Sequence, residues 1–346
     1  MEKIKFFVAL WAAKLYLFIS KVLGKSRDDR AGLLAYRFDK NFLKHLNKPE
    51  LVVGVTGTNG KSTVSSLVHD IFKLENKKVA YNDWFANNLA GHARLLLDAV
   101  NIFNKPRRDV AVLEMDEITL IESMPYADLD YLIITNISRD SIRRNAYPSY
   151  IASKIKEALD TSLDTKIIVN ADDPITTSLD IKNKCIYYSL DKTRDEIVTY
   201  NADDFPVCPR CYEKVVYDYQ HYRHIGKFQC PHCGFKSKKS DYIGKNINYD
   251  KMTFDVAKGK KKTKYNLISP SIFNVFNLLS VIALFTELGM DDKTLNEHIS
   301  NIKIPISRED NVKCKDKEIC LQIAKGQNVS ATSTVFEYVS NMKENI

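Results

Sequence analysis

Gly54-Val55-Thr56-Gly57-Thr58-Asn59-Gly60-Lys61-Ser62-Thr63 follows the apolar run Leu51-Val52-Val53 and opens a helical pattern from Ser62 to about Leu74. A strand, a glycine-rich turn and a helix form a cradle for polyphosphate. The glycines let backbone N–H groups approach the oxygens, and the positive end of the helix dipole faces the anion. Lys61 supplies a full charge for the outer phosphates, and the hydroxyl of Ser62 or Thr63 is placed to hold Mg²⁺. Strict Walker spacing would put a glycine where Val55 stands, so this is a variant loop flanked by Gly54 and Gly57. An ordinary turn with a chance lysine would not bring glycines, Lys-Ser-Thr and strand-to-helix context together.

Around this loop the chain alternates. Strands are predicted at 51–55, 79–81, 110–114, 131–135, 166–170 and 185–189, with helical patterns after several of them, including 149–160. Such alternation predicts an α/β fold, a mostly parallel sheet covered by helices on both faces. Ligands then bind beyond the carboxyl ends of the strands. Two of those ends are polar. Val110-Ala111-Val112-Leu113 runs into Glu114-Met115-Asp116-Glu117, which brings carboxylates to hold Mg²⁺ against the phosphates. Leu132-Ile133-Ile134 runs into Thr135-Asn136, then Ser138-Arg139-Asp140. A third, Lys166–Asn170, leads into Ala171-Asp172-Asp173-Pro174.

The 346 residues, 45% hydrophobic and 27% charged, suffice for two domains and a sizeable core and exclude a disordered chain. A net charge of +8 fits an anionic partner such as ATP, nucleic acid or a membrane surface. Seven cysteines are an odd number, and four stand in two close pairs, which favours metal binding in a reducing compartment over a disulfide framework.

Those pairs are Cys208-Pro209-Arg210-Cys211 and, eighteen residues on, Cys230-Pro231-His232-Cys233-Gly234. The spacing matches a zinc ribbon over about 204–240, with four thiolates closing a structural Zn²⁺ site that has no open position. Short strands are expected at 212–219 and 222–228, and His221, His224 and His232 are read as surface residues. The following run, Lys258-Gly259-Lys260-Lys261-Lys262-Thr263-Lys264, reads as a solvated hairpin turn between strands at 252–256 and 265–268. Phosphate contacts to nucleic acid are the competing reading. No aromatic stacking platform or recognition helix accompanies the lysines, so nucleic acid is not the expected partner.

Ser271 to Gly289 reads as a long apolar helix carrying Asn274 and Asn277 one turn apart. Their amides suit a purine ring; the plainer alternative is an N-cap at one and a surface position at the other. Ile304-Pro305-Ile306 reads as a linker, followed by a strand at 318–324 and a helix at 330–342, too few residues for an independent core. At the other end, residues 1–24 are apolar and aromatic, but the longest uncharged run there is eight residues, too short to span a bilayer. No small-residue cleavage site follows, which argues against a signal peptide. Two readings stand: a helix packed on the body of the protein, or an interfacial helix with Lys3, Lys5, Lys14 and Lys21 at the headgroups, a peripheral membrane contact.

The motif order over roughly residues 30–325 resembles the Mur ligase superfamily and, within it, the MurT-like branch. Gly-Thr-Asn-Gly-Lys-Ser is similar to that superfamily's phosphate loop, Glu114–Glu117 to its acidic strand end, and Thr135-Asn136 with Arg139-Asp140 to its Thr-Asn…Arg-Asp segment. Asn170–Pro174 is similar to its Asn-Ala-Asp-Asp-Pro turn, Asn274 and Asn277 to its Asn-x-x-Asn helix, and Arg308 to a linker arginine that reaches ATP. The inserted four-cysteine ribbon is the most specific element, since other Mur ligases lack it. About 50 residues precede the loop, too few for the UDP-sugar domain of the classical ligases. Ser271 stands where the branch has glycine, and Ser307-Arg308-Glu309-Asp310 where it has Gly-Arg-x-Glu.

The resemblance implies an N-terminal helical segment (1–48), a central ATPase domain (49–300) and the start of a C-terminal domain cut short (301–346). It implies a cytoplasmic, glutamine-dependent carbon–nitrogen ligase of peptidoglycan synthesis, acting at the inner face of the membrane. The α-carboxyl of D-glutamate in the lipid II stem peptide becomes an acyl phosphate, and ammonia from a GatD-like glutamine amidotransferase displaces the phosphate. Gly57, Thr58, Asn59, Gly60, Lys61, Ser62 and Thr63 would bind ATP with Asn274, Asn277 and Arg308. Ser62 and Glu114 would hold Mg²⁺, Lys61 and Glu114 would serve catalysis, and Cys208, Cys211, Cys230 and Cys233 would hold Zn²⁺. No Cys/His nucleophile pair is evident, so ammonia must come from outside. The alternatives are a Mur or folylpolyglutamate-type ligase for another carboxylate, and a zinc-ribbon module for nucleic acid.

Overall fold

The computed structural model describes residues 2–24, 28–82, 86–139, 147–193, 207–302, 309–314 and 317–322, the last two stretches as backbone. Three helices come first: α1 (Glu2–Val22), α2 (Arg30–Phe38) and α3 (Phe42–His45). An alternating run follows: β1 (Leu51–Thr56), α4 (Lys61–Leu74), β2 (Val79–Tyr81), α5 (Leu89–Ala99), β3 (Val110–Glu114), α6 (Leu120–Ala127), β4 (Tyr131–Ile134), α7 (Pro148–Leu159), β5 (Lys166–Asn170), α8 (Pro174–Thr177) and β6 (Cys185–Leu190). A hairpin, β7 (Val216–Tyr222) and β8 (Ile225–Gln229), precedes β9 (Tyr242–Asn248), β10 (Thr253–Lys258) and β11 (Lys261–Asn266). Helices α9 (Ile272–Glu287) and α10 (Asp292–Asn301) come next, then the hairpin β12 (Glu309–Cys314) and β13 (Lys317–Gln322).

Nine strands form one sheet in the order β11-β10-β9-β6-β5-β4-β1-β3-β2. It is parallel from β2 to β9, and β10 and β11 add to its edge antiparallel. The central strands read as continuous apolar runs because both faces are covered, as parallel sheets require. Alternate residues feed two cores. Val52, Ala111, Leu113, Leu132, Ile134, Ile167 and Val169 face one, with Phe6, Ala9, Leu10 and Ala13 of α1. Val53, Val55, Val110, Val112, Ile133 and Ile168 face the other, under Val64, Val68 and Ile71 of α4 and the apolar α9. The i, i+4, i+7 spacing in α4 puts its apolar stripe on the sheet and leaves its first turn at the carboxyl edge.

The expected α/β architecture and parallel sheet are present. Differences concern the ribbon and its surroundings. The first ribbon strand starts at Val216 rather than residue 212, because residues 212–215 close a cysteine knuckle: Tyr212 N–H donates to Cys208 O and sits at φ +63°. Tyr222 ends this strand instead of opening the next. The lysine run straddles a hairpin turn at Gly259-Lys260, with Lys261, Lys262 and Lys264 inside β11. The linker at 304–306, Arg308, Asp140 and the helix expected at 330–342 lie outside the described residues.

Candidate functional site

The ends of β1, β3, β4 and β5 converge on the loop 57–60. Gly57 takes φ +119°, and a Cβ there would collide with Thr135 Oγ1 and Asn136 O. Gly60 takes φ +88° and immediately precedes α4. The end of β4 grips the loop directly. Thr58 N–H donates to Asn136 O at 2.8 Å, and Thr135 Oγ1 and Asn136 Nδ2 both donate to Asn59 O, at 2.7 and 3.0 Å. Ser138 N–H donates to Thr58 Oγ1, whose hydroxyl donates to Ser138 O, each at 3.0 Å.

Behind this clamp stands the β5 turn. Asp173 Oδ2 accepts Ile137 N–H at 2.8 Å, while its Oδ1 accepts Ile175 and Thr176 N–H and so caps α8. The polar strand ends are thus a supporting lattice that fixes the loop's backbone before any ligand arrives.

Lys61 is buried and donates to Glu117 Oε2 at 2.9 Å and to the loop carbonyl of Gly57. Burial works against its charge, but the carboxylates of Glu117, Glu114 and Asp116 outweigh it and raise its pKa above the usual lysine value. The ammonium is therefore present throughout the physiological range. Ser62 Oγ donates to Glu114 Oε1 at 3.0 Å, so a hydroxyl and a carboxylate oxygen already lie side by side. Paired oxygen donors of this kind suit a hard divalent cation. Asp116 serves the backbone instead, accepting Ile118 and Thr119 N–H.

His92 on α5 supports β3 from below, and nothing in the sequence marked it. Its Nε2–H donates to Glu114 O at 2.9 Å, which leaves Nδ1 to accept Ser123 Oγ–H at 2.9 Å. Burial lowers its pKa to about 4, so the ring is neutral and holds one tautomer.

Asn277 is buried, with its Oδ1 where a Cβ on Gly60 would fall, and its Nδ2 donates to Asn274 Oδ1 at 3.2 Å. Neither asparagine caps α9, since Ser271 occupies the N-cap position. The two amides therefore stand beside the loop as one pair. Thus Gly57–Thr63, Glu114, Asn274 and Asn277 form one cluster.

The four cysteines form a second centre. Cys208 and Cys233 sulfurs lie 3.7 Å apart, those of Cys211 and Cys230 3.5 Å apart, and all four within 4.8 Å of one another. Tetrahedral bonds of about 2.3 Å place thiolates about 3.8 Å apart, so the donor set fits one soft, four-coordinate metal ion. Tyr212 and Gly234, each following a knuckle's second cysteine, both take positive φ. Arg210 lies over the Phe235 ring, 4.6 Å from its centre, beside the small core of Val215 and Phe228.

The hairpin between the knuckles overturns one expectation: His221 and His224 are buried rather than on the surface. The β7–β8 turn plugs into the carboxyl edge of the sheet. His224 Nε2–H donates to Ile137 O at 2.9 Å and stands 3.6 Å from Asp173 Oδ1. His221 Nε2–H donates to Leu190 O at 3.0 Å. Asp172 accepts Leu190 N–H at 2.8 Å, and burial pushes its pKa up to about 7. The cysteine centre is thereby wired to Ile137, which lies between Asn136 and Ser138, two of the three residues that grip the glycine loop.

The Mur ligase middle domain matches residues 55–229. The Staphylococcus aureus (strain COL) lipid II isoglutaminyl synthase (glutamine-hydrolyzing) subunit MurT is 28% identical over 331 residues, 93% of this chain and 73% of that protein. Its Streptococcus pneumoniae counterpart is 28% identical over 337 residues, 95% of this chain and 72% of that protein. Among solved structures, a pseudomurein peptide ligase type C from Methanothermus fervidus superposes with a TM-score of 0.70 at 26% identity, over 86% of this chain and 57% of that one. The chain thus spans little more than half the length of that ligase.

Proposed function

This chain belongs to the Mur ligase family, and from that premise we propose that it is an ATP-dependent amide ligase subunit of cell-wall synthesis. Its substrate in this reading is the α-carboxyl of D-glutamate in the lipid II stem peptide, and its nitrogen comes from a GatD-like glutamine amidotransferase. The observation that carries the proposal is the buried Lys61 ammonium on a glycine loop, with Ser62 and Glu114 oxygens 3.0 Å apart beside it. Lipid II and a glutamine-hydrolysing complex stand in the names of the two MurT proteins, which match more than nine-tenths of this chain. The D-glutamate carboxyl and the GatD-like partner follow from the motif resemblance.

Bound ATP and Mg²⁺ would supply the phosphoryl group and the charge neutralisation for turning a carboxylate into an acyl phosphate, which ammonia then opens with loss of phosphate. The protein's own part is positioning and charge. Backbone N–H groups at the first turn of α4 would face the phosphates. Lys61 would exchange Glu117 for phosphate oxygens and stabilise the charge that develops during transfer. Ser62 and Glu114 would hold the Mg²⁺, and the neutral His92 keeps Glu114 in place by holding its backbone carbonyl. Asn274 and Asn277, next to Gly60, would meet the nucleotide base or ribose, with Arg308 reaching it from the linker. In this reading residues 49–300 act as the ATPase unit, and residues 301–346 begin the next. The four thiolates would hold Zn²⁺ as a structural ion.

Likeness to the pseudomurein peptide ligase favours a second reading, in which the amine of an amino acid rather than ammonia attacks the activated carboxylate. One assay separates them. Phosphate release and product mass are followed with lipid II or a free stem peptide, and with ammonia, glutamine plus a GatD-like subunit, or single amino acids as nitrogen source. An amidated product supports the first reading, and a peptide lengthened by one residue supports the second. ATP consumption that no carboxylate stimulates contradicts both.

A further inference from the structure

We propose that the outward face of α1 seats this protein on an anionic phospholipid bilayer, with the helix lying flat in the headgroup layer. Helix α1 is apolar on two opposite faces. One, with Phe6, Leu10 and Ala13, is buried in the core. The other, Ile4, Val8, Trp11, Leu15, Phe18 and Val22, repeats at four- and three-residue steps along a single stripe. This second stripe faces water: Ile4, Phe18 and Val22 are 70%, 67% and 71% exposed. A helix apolar all round is normally buried all round, so a stripe this long without cover calls for a partner.

The stripe extends onto a neighbouring loop. Trp11 Nε1–H donates to Ile102 O at 2.9 Å, and the next residue on that loop, Phe103, is 66% exposed. Indole rings with one polar tip are suited to the layer between headgroups and acyl chains.

Charge selects the occupant. At about 100° per residue, the exposed Lys3 and Lys21 lie roughly 100° to one side of the stripe and Lys5 about 100° to the other. Lys14, also expected at the headgroups, instead turns inward and donates to Leu97 O and Val100 O. An apolar stripe edged by lysines on both sides is the pattern of an interfacial helix on an anionic surface. A second copy of this chain is a poorer match, since a two-fold contact along the stripe would set these lysine edges against each other. The 21 residues of α1 extend about 30 Å along the surface. No helix among the described residues is long and apolar enough to cross a membrane, and α1 would lie along the surface.

The inference does not rest on the ligase reading, and its test needs no catalysis. The full chain is sedimented with vesicles of phosphatidylcholine, with and without phosphatidylglycerol. We expect binding that requires phosphatidylglycerol and falls with salt. Phe18→Gln with Val22→Gln should weaken it at least a hundredfold, because each apolar side chain removed from lipid contributes about tenfold or more. Replacing Lys3, Lys5 and Lys21 with alanine should weaken it about fivefold per lysine. All five side chains face water, so the variants should melt with the native chain. Should one misfold, the native chain still decides: in a Trp84→Phe background, Trp11 fluorescence should shift to the blue on mixing with anionic vesicles. No sedimentation, no shift, or equal binding by the variants would overturn the proposal. So would a concentration-dependent dimer in the ultracentrifuge that the Phe18/Val22 variant abolishes while vesicles do not bind.

Discussion

Lys61 Nζ lies 2.9 Å from Glu117 Oε2, and both side chains are buried against the phosphate loop. Glu117 holds the ammonium in place, and in the proposed reaction phosphate oxygens would compete for it. Glu117→Gln keeps the shape of the contact but removes the carboxylate in contact with the buried charge, leaving only the more distant Glu114 and Asp116 to offset it. Breaking comparable pairs costs about 3–5 kcal/mol, an upper bound here. The variant should melt earlier than the native chain without nucleotide. It should also gain more from saturating Mg-ATP, because a ligand that restores the missing negative charge binds the folded state selectively. Thermal melts with and without ATP check this; equal melting temperatures for both proteins would contradict it.

Gly60 combines φ +88° with a Cβ direction that runs into Asn277 Oδ1. Gly60→Ala should therefore destabilise the protein by about 1–3 kcal/mol and abolish nucleotide binding. Adding Asn277→Ala should remove the collision but not the left-handed backbone strain, so only part of the stability returns. Chemical denaturation of the single and double variants measures that part, and complete recovery would show that the dihedral is unimportant.

His92 makes stability depend on pH with a definite sign. Its pKa in the fold is lowered to about 4 from 6.5 by burial. Above about 6.5 both folded and unfolded chains carry the neutral ring, and the stabilisation is complete. As pH falls toward about 4, the unfolded chain binds a proton that the folded chain excludes, and about 3 kcal/mol is lost. His92→Gln should be less stable at neutral pH, yet its stability should fall less steeply across that window. Urea midpoints measured between pH 7 and 4 test the difference in slope, and parallel curves would refute it.

The cysteine centre should report on the phosphate loop. His224, on the hairpin between the two knuckles, donates to Ile137 O, and Asp173 accepts Ile137 N–H. Removing the metal, with a strong chelator or with Cys211→Ser, should loosen this hairpin and weaken ATP binding without touching any phosphate ligand. One zinc per chain is expected by elemental analysis, and none in the cysteine variant. His224→Ala should retain the zinc and still weaken ATP binding. If it binds ATP like the native chain, the connection through Ile137 carries no energy.

Much of this was legible in the chain. Continuous apolar strands, glycines and a Lys-Ser-Thr start to α4 are local signals, and they located the sheet, the loop and its polar strand ends. The cysteine spacing is equally local. Glu117 was hidden because Glu114, Asp116 and Glu117 are chemically alike, and only tertiary geometry sends one to Ser62, one to backbone N–H groups and one to Lys61. His221 and His224 sit in a polar, tyrosine-rich hairpin that reads as surface, and their burial comes from a turn distant in sequence. His92 lies within an apolar helix, where one histidine gives no periodic signal. Helix α1 has apolar faces on both sides, so it satisfied the packed-helix reading on one while leaving the other in water.

The most direct test of the central claim follows the oxygen atoms. Stem peptide whose glutamate α-carboxyl carries heavy oxygen is incubated with Mg-ATP, ammonia and the full chain, and the released phosphate is weighed by mass spectrometry. Activation through an acyl phosphate predicts one heavy oxygen in each phosphate released with amidated peptide, and neither product from Lys61→Ala. Phosphate without label would mean that water, not the carboxylate, takes the phosphoryl group, and the ligase account would be contradicted.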